Sequence, residues 1–206
     1  PWIALSSTSA VTKMESNDEC SPIASRLREG EEWLGRFRSG ASGSTIILRP
    51  TLIYGGMRNR NINKIKLLAR YTRIFLNLEF AEGRRQPIHC DDIAEWTTAL
   101  LSQTLDEPGK AAPGNGESKV TLVELSGGET VSFTEMVKRT QAAACVGGVK
   151  LVCSRGSVRF FFALVNWLPW FSEVPKDFVR RLEKDFLFSN NKALALQPQS
   201  LRRFYP

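Results

Sequence analysis

The 206-residue chain has the composition of a folded protein, since 42% of its residues are hydrophobic and it contains 12 Phe and five Trp. Disordered chains are poor in such side chains, because they cannot offset the entropy lost on folding. The net charge of +7 favours binding to an anionic partner, such as nucleic acid, a membrane surface or a phosphorylated small molecule. The basic residues are scattered, and no zinc-finger or RNA-binding motif accompanies them, so we do not expect a nucleic-acid partner.

The cysteines and the first residues bear on where the protein resides and how much of it this sequence covers. Cys20, Cys90, Cys145 and Cys153 are far apart in the sequence and lack metal-ligand spacing, which argues against a disulfide framework or a zinc site. This pattern favours a cytoplasmic location. The sequence starts at Pro1 in what looks like the middle of a strand, without a signal-peptide pattern. We therefore expect it to be a fragment, the C-terminal portion of a longer protein.

Predicted strands and helices alternate along the chain, which is typical of an α/β fold with a parallel sheet. An apolar run at 2–5 predicts the first strand, and Ser21 with Pro22 opens a helix that ends near residue 38. A continuous β-branched run at 45–56 predicts a central strand that is covered on both faces. The predicted buried stripe of the first helix consists of Ile23, Leu27, Leu34 and Phe37.

Further elements follow before residue 145. In chain order they are a basic amphipathic helix at 64–75, an extended segment at 87–89, a helix to about residue 105, a strand at 120–125 and a helix at 133–144. Asp91 and Asp92 are the predicted caps of the helix that ends near residue 105. Ser132 and Glu135 form a capping box for the last helix.

The last 50 residues differ in character from the rest. The apolar run at 160–171 is too short to span a bilayer, which needs about 20 apolar residues. It is either a buried helix of a small lobe or an interfacial helix through which residues 158–171 associate with a membrane, and both alternatives stay open. A further helix is predicted at 175–186.

Three segments that follow predicted strands, or approach a helix, carry side chains suited to ligand binding. They are the Ser-Ser-Thr sequence at 6–8, the end of the central strand at 49–55, and the segment 83–92. Ligands of open parallel sheets bind beyond the carboxyl ends of the strands. We therefore expect the three segments to converge on one crevice.

In this order and spacing, the three segments and residues 125–137 resemble the extended short-chain dehydrogenase/reductases, the NAD-dependent epimerase/dehydratase group that acts on nucleotide-sugars. The resemblance implies an α/β fold, with the C-terminal half of a Rossmann-like NAD(P)-binding domain at 1–120. A small, mostly helical substrate lobe is expected at 121–206. It also implies that the longer protein uses NAD or NADP and binds a nucleotide-sugar or a similar phosphorylated ligand.

The resemblance assigns roles to individual side chains at the two strand ends. Ser7, with Thr8 as the second choice, matches the hydroxyl that hydrogen-bonds the reacting group of the substrate, and a hydroxyl suits this role because it both donates and accepts. Pro50, Thr51 and Leu52 match the strand end that lies against the nicotinamide.

Other side chains are expected to contact phosphates or the sugar. Arg26 could reach a cofactor phosphate or ribose. Tyr54 either offers its hydroxyl to the substrate or belongs to the core. Arg85 matches the arginine that clamps the diphosphate with its bidentate fork, with an ordinary surface charge as the alternative. His89 is expected to be a hydrogen-bonded structural residue rather than a base.

The chain departs from the family in three respects, of which one is that Leu52 stands where many relatives have an Asn that contacts the substrate. Ile23 and Leu27 stand where the family places its catalytic Tyr and Lys, and neither side chain can transfer a proton. This points to the atypical subgroup with altered catalytic residues, or to a non-catalytic binding or sensor protein. The sequence also lacks the Gly-rich turn that binds the pyrophosphate at a helix N-terminus, so this chain alone is expected to bind NAD(P) poorly or not at all.

Overall fold

A computed structural model describes residues 2–12, 22–38, 44–56, 60–106, 120–144, 147–158 and 178–206. Strands and helices alternate through these ranges, which confirms the predicted α/β class. The strands are β1 (Trp2–Leu5), β2 (Thr45–Pro50), β3 (Ile53–Tyr54), β4 (Ile74–Asn77), β5 (Arg84–Arg85), β6 (Ile88–His89), β7 (Val120–Leu125), β8 (Val131–Ser132) and β9 (Val149–Val152). The helices are α1 (Ser9–Thr12), α2 (Pro22–Arg38), α3 (Arg60–Thr72), α4 (Cys90–Asp106), α5 (Phe133–Ala144), α6 (Phe178–Glu183) and α7 (Asn191–Leu196).

The chain folds into two compact units, and each unit draws on separate segments of the sequence. The first unit comprises Pro1–Ile53, Pro87–Gly128 and Phe188–Arg202, and the second comprises Tyr54–Gln86, Glu129–Leu187 and Arg203–Pro206. The division into a Rossmann-like half at 1–120 and a lobe at 121–206 stays a prediction.

The first unit is built on a three-stranded sheet in the order β1-β2-β7, with every strand parallel to its neighbour. This confirms the predicted parallel sheet. Ile3 lies opposite Ile46, and Ile46 lies opposite Thr121. Because side chains alternate along a strand, residues in register share one face of the sheet.

The core of the first unit lies between one face of this sheet and helices α4 and α7. Trp96 of α4 is fully buried at its centre, and its indole N–H donates to the Ala193 carbonyl of α7 over 3.1 Å. A buried indole N–H usually has such a partner, because an unpaired donor costs free energy. The other apolar members of the cluster are Ile46, Leu48, Ile88, Ile93, Leu100, Val123 and Leu125.

Helix α2 buries a different face from the one that the apolar pattern predicts. Ala24 is fully buried, whereas Ile23 and Phe37 are exposed, so that part of the predicted stripe is wrong. The reason is polar: Arg38 on the buried side donates to the Thr45 hydroxyl over 3.1 Å. The buried side of α2 thus contains a guanidinium with a partner as well as Ala24.

Two predicted boundaries are corrected by the backbone. The continuous strand at 45–56 is interrupted between Pro50 and Ile53, where the N–H of Thr51 donates instead to the Leu125 carbonyl of β7. The helix predicted at 64–75 ends at Thr72, because Arg73 adopts a left-handed conformation with φ 55° that terminates helices. The next residues form β4.

The second unit contains α3 packed against α5, and α5 also contacts β4. Strand β4 pairs in parallel with β9, and β5 pairs antiparallel with β8. These short strands escaped the sequence patterns. Of the helix predicted at 175–186, the structure describes the part from residue 178, where α6 ends at Glu183. The apolar run at 160–171 lies outside the described residues. Within the described ranges, no helix has the length and apolar content needed to cross a membrane.

Candidate functional site

The carboxyl edge of the three-stranded sheet brings together four of the residues that sequence assigned to the site. The backbone N–H and the hydroxyl of Thr8 both donate to the Pro50 carbonyl, over 3.2 and 3.3 Å. Thr51, the next residue, donates its N–H to Leu125 over 3.0 Å. Ser7 precedes Thr8 directly, so the two strand ends form one continuous polar rim. This grouping lies entirely within the first unit.

An ion pair supports this rim from the α2 side. The Glu31 carboxylate accepts Arg49 Nε over 2.8 Å and Arg49 Nη2 through its second oxygen, which makes the pair bidentate. The Ser6 hydroxyl donates to the same carboxylate. Both charged side chains are largely shielded from solvent. The sequence patterns missed Glu31, although an acid between Leu27 and Leu34 on the predicted buried stripe was a detectable signal.

The surroundings of Glu31 hold it in its ionised form. Burial alone would raise the pKa of this carboxyl. The hydrogen bonds from Arg49 and Ser6, with the positive charges of Arg49 and Arg28, outweigh burial and lower the pKa below its ordinary value. An ionised Glu31 can only accept hydrogen bonds, so its role here is to orient Ser6 and Arg49.

The lowered pKa makes Glu31 a source of acid sensitivity. Its stabilising contribution is present above the ordinary pKa of 4.5 and is lost as the pH falls through the lower folded-state value. We therefore expect Glu31→Gln to lose less stability than the wild type between about pH 6 and about pH 3, measured by urea unfolding. Glu32→Gln, an exposed neighbour on α2, is the control and should behave as the wild type. If the unfolding free energy of Glu31→Gln fell as steeply with decreasing pH as that of the wild type, this assignment would be contradicted.

The three hydroxyls at residues 6–8 differ in which hydrogen bonds they can still form. The protons of Ser6 and Thr8 are donated to Glu31 and Pro50. Ser7 Oγ instead accepts the Ser9 N–H over 3.2 Å at the start of α1, and its own proton has no acceptor within the described part of the chain. Of the hydroxyls at residues 6–8, that of Ser7 is therefore the one with a donor available to a ligand.

The first turns of α2 extend past the strand ends. Glu31 is level with Ser6, and a helix rises about 1.5 Å per residue, so Leu27 lies about 6 Å farther along the helix axis. Leu27 is half-buried, Ile23 is 55% exposed and Arg26 is exposed. Helix α2 thus offers the rim apolar groups and a cation at these positions, and neither can exchange a proton near neutral pH.

Tyr54, the proposed substrate contact, belongs to the core of the second unit. Its ring is fully buried and meets Phe204 edge-on, with 4.8 Å between ring centroids. Its hydroxyl donates to the Arg203 carbonyl over 2.9 Å. A ligand would have to displace this hydrogen bond to reach the hydroxyl. The contacts of Tyr54 are therefore those of a core residue, and its role in substrate binding stays a prediction.

Arg85 is also engaged within the second unit. Its guanidinium donates to the carbonyls of Arg181 and Lys184 at the end of α6 and stacks over the Phe186 ring at 4.3 Å. Burial, and then the positive charge of Arg181, lower the pKa of Arg85 to about 10. The fork therefore anchors the segment after α6, and a diphosphate contact by Arg85 stays a prediction.

The residues before and within the first turn of α4 have structural contacts. His89 Nδ1 accepts the Asp91 N–H over 3.2 Å, so His89 rather than Asp91 or Asp92 caps the helix. Asp92 is fully buried and accepts the backbone N–H of Arg202 over 3.0 Å and its guanidinium. The prediction of Asp92 as a simple cap is corrected, because this carboxylate fastens the C-terminal segment to α4.

Comparison with known proteins identifies solved structures with a similar fold. No protein-family model and no curated protein sequence matches the chain. Among solved structures, the one described as gox2253 matches 97% of this chain and 61% of its own length, with a TM-score of 0.58 and 18% identity. A dTDP-4-dehydrorhamnose reductase from Bacillus anthracis str. Ames in complex with NADP matches 76% of this chain, with a TM-score of 0.52 and 14% identity.

A UDP-glucuronic acid 4-epimerase from Bacillus cereus in complex with NAD covers 88% of this chain, with a TM-score of 0.50 and 16% identity. The chain spans 51% of the length of the reductase and 62% of that of the epimerase. At these identities the likeness concerns the fold. The chain thus shares the fold of these reductase and epimerase structures, which is the α/β fold that the resemblance implied.

Proposed function

We propose that this chain forms the substrate-facing half of an NAD(P)-dependent protein that binds a nucleotide-sugar, of the atypical extended short-chain reductase type. The observation that carries the proposal is the polar rim at the carboxyl edge of the parallel sheet, where Ser7, Thr8, Pro50 and Thr51 lie together. This edge is where open parallel sheets bind their ligands. The solved neighbours that were crystallised with NADP or NAD support the cofactor class.

Each rim residue has a role that follows from its chemistry. Ser7 donates its proton to the reacting oxygen of the sugar, while Pro50, Thr51 and Leu52 form the wall against which a nicotinamide would lie. Arg26, exposed on the part of α2 beyond the strand ends, attracts a phosphate. The nicotinamide would supply the hydride chemistry when bound, and the pyrophosphate would require a Gly-rich turn from outside this sequence.

A second candidate is a binding or sensor protein that has the fold without turnover. Ile23 and Leu27 favour it, because they occupy the positions from which α2 would deliver a proton. A tuned acid/base is commonly worth about 10²–10⁴ in rate. Slow or absent turnover with intact ligand binding would select this candidate over the enzyme.

Substitution of Ser7 tests the proposed site in the natural polypeptide that contains this chain. If the protein turns over a UDP- or dTDP-linked sugar, Ser7→Ala should lower kcat by about 100-fold, the usual cost of a lost donor in the transition state. If it only binds, Ser7→Ala should weaken sugar-nucleotide affinity by about tenfold. Ser9→Ala, two residues away in α1, is the control and should change neither. Ser7→Ala with wild-type kcat and affinity would refute the assignment.

A further inference from the structure

The second unit carries an apolar surface that none of the proposed chemistry uses. It is formed by helix α3 and the strand pair β4–β9, and its most exposed members are Tyr71, at 79%, and Val149, at 71%. We name it the α3/β9 surface. Its apolar side chains are Leu67, Tyr71, Ile74, Val149 and Leu151.

These side chains lie on connected parts of the backbone. Helix α3 buries Ile62 and Ala69 and packs against α5, which leaves Leu67 and Tyr71, one turn apart, on the outer side. Residue 73 turns the chain directly into β4, where Ile74 lies opposite Val149 of β9. Helix α3 is thus connected to β4 through Arg73 alone, and β4 pairs with β9.

The same elements concentrate the positive charge of the chain. Residues 60–77 and 147–153 contain six of the 28 Lys and Arg residues and none of the 21 Asp and Glu residues, so the rest of the chain is nearly balanced. Lys64 precedes Leu67 by one turn on the outer side of α3, and Lys150 stands between two exposed apolar residues of β9. On α3, cationic and apolar side chains therefore lie side by side, whereas Lys150 points to the opposite face of β9 from Val149 and Leu151.

We infer that the α3/β9 surface docks onto an anionic lipid bilayer. Peripheral binding combines the burial of apolar side chains at the headgroup boundary with the attraction of cations to anionic lipids. Long basic side chains can bury their methylenes while their charges stay in water, and a tyrosine such as Tyr71 is favoured at this boundary.

Other occupants fit the surface less well. A second copy of this chain would place two sets of like charges face to face, which disfavours a symmetric contact. Nucleic acid would neutralise the cations, but its phosphate backbone offers little apolar area for Leu67, Val149 and Leu151. The lipid boundary satisfies both kinds of side chain at once.

Flotation with lipid vesicles tests the inference on the natural polypeptide that contains this chain. We expect it to float with phosphatidylcholine vesicles that contain phosphatidylserine and to remain behind with phosphatidylcholine alone. Lys64→Gln with Arg70→Gln should lower the partition coefficient about 30-fold, since each basic residue near an anionic surface contributes a factor of about five. Leu67→Ser with Tyr71→Ser should lower it about tenfold or more.

Matched variants separate this surface from general charge and hydrophobicity. Lys138→Gln with Lys192→Gln removes the same two charges from exposed positions elsewhere, and Trp33→Ser with Phe37→Ser removes exposed apolar rings from α2. Both should bind as the wild type, and thermal unfolding verifies that all variants are folded. Wild-type protein that fails to float with anionic vesicles overturns the inference. Flotation that is unchanged in both α3 double variants would also overturn it. The same holds if the protein binds RNA and does not bind vesicles.

Discussion

Gly127→Ala should unfold the first unit or destabilise it by about 4 kcal/mol or more. A methyl group at this position would lie 1.7 Å from the Pro87 carbonyl oxygen and 3.2 Å from the backbone nitrogen of Ile88. Both contacts are with backbone, which cannot rotate away as a flexible side chain can. Urea unfolding followed by circular dichroism measures the loss.

Gly30→Ala provides the matched control for this prediction. Gly30 lies inside α2, and a methyl group there would meet nothing within 4 Å. Because alanine is the better helix former, this substitution should stabilise the protein by up to about 1 kcal/mol. A Gly127→Ala protein as stable as Gly30→Ala would mean that residues 87 and 127 do not approach each other as described.

Trp96→Ala should cost about 3–5 kcal/mol of unfolding free energy. Its fully buried ring fills the centre of the core between the sheet and helices α4 and α7, and truncation would leave a cavity and remove one of the two hydrogen bonds that the Ala193 carbonyl accepts. Chemical denaturation, monitored by far-ultraviolet circular dichroism because the mutation removes a fluorophore, gives the value.

Trp33 offers the comparison that isolates burial from residue type. It is 60% exposed and stacks on Phe37, with 5.0 Å between ring centroids. Stacked pairs contribute about 0.5–1.5 kcal/mol, so Trp33→Ala should cost less than half as much as Trp96→Ala. Similar losses in the two variants would refute the core that centres on Trp96.

The sequence predicted the parts of the fold that depend on long periodic patterns. β1, β7 and α5 lie where apolar periodicity and capping residues placed them. The face of α2 was mispredicted because Arg38 is buried on it through Thr45, a tertiary contact that apolar periodicity does not reveal. Strands β4 and β9 were missed because each is only four residues long and half-exposed or exposed, so neither has a distinctive pattern.

The site was predictable at the strand ends and less so elsewhere. Ser7, Thr8, Pro50 and Thr51 follow strands whose parallel pairing forces their ends to one edge. Glu31 was missed because its importance depends on Arg49, 18 residues away in sequence. The hydroxyl of Tyr54 and the fork of Arg85 meet backbone carbonyls far along the chain, which motif matching does not detect.

The most direct test is a calorimetric titration of the natural polypeptide that contains this chain with NADH and NADPH. The carboxyl edge with Ser7 and Pro50 is suited to the nicotinamide end of such a cofactor, so at least one of the two should give saturable heat and raise the melting temperature. The 206-residue chain by itself should give little or no heat. If the natural polypeptide binds neither cofactor, this edge is not the dinucleotide site that we propose.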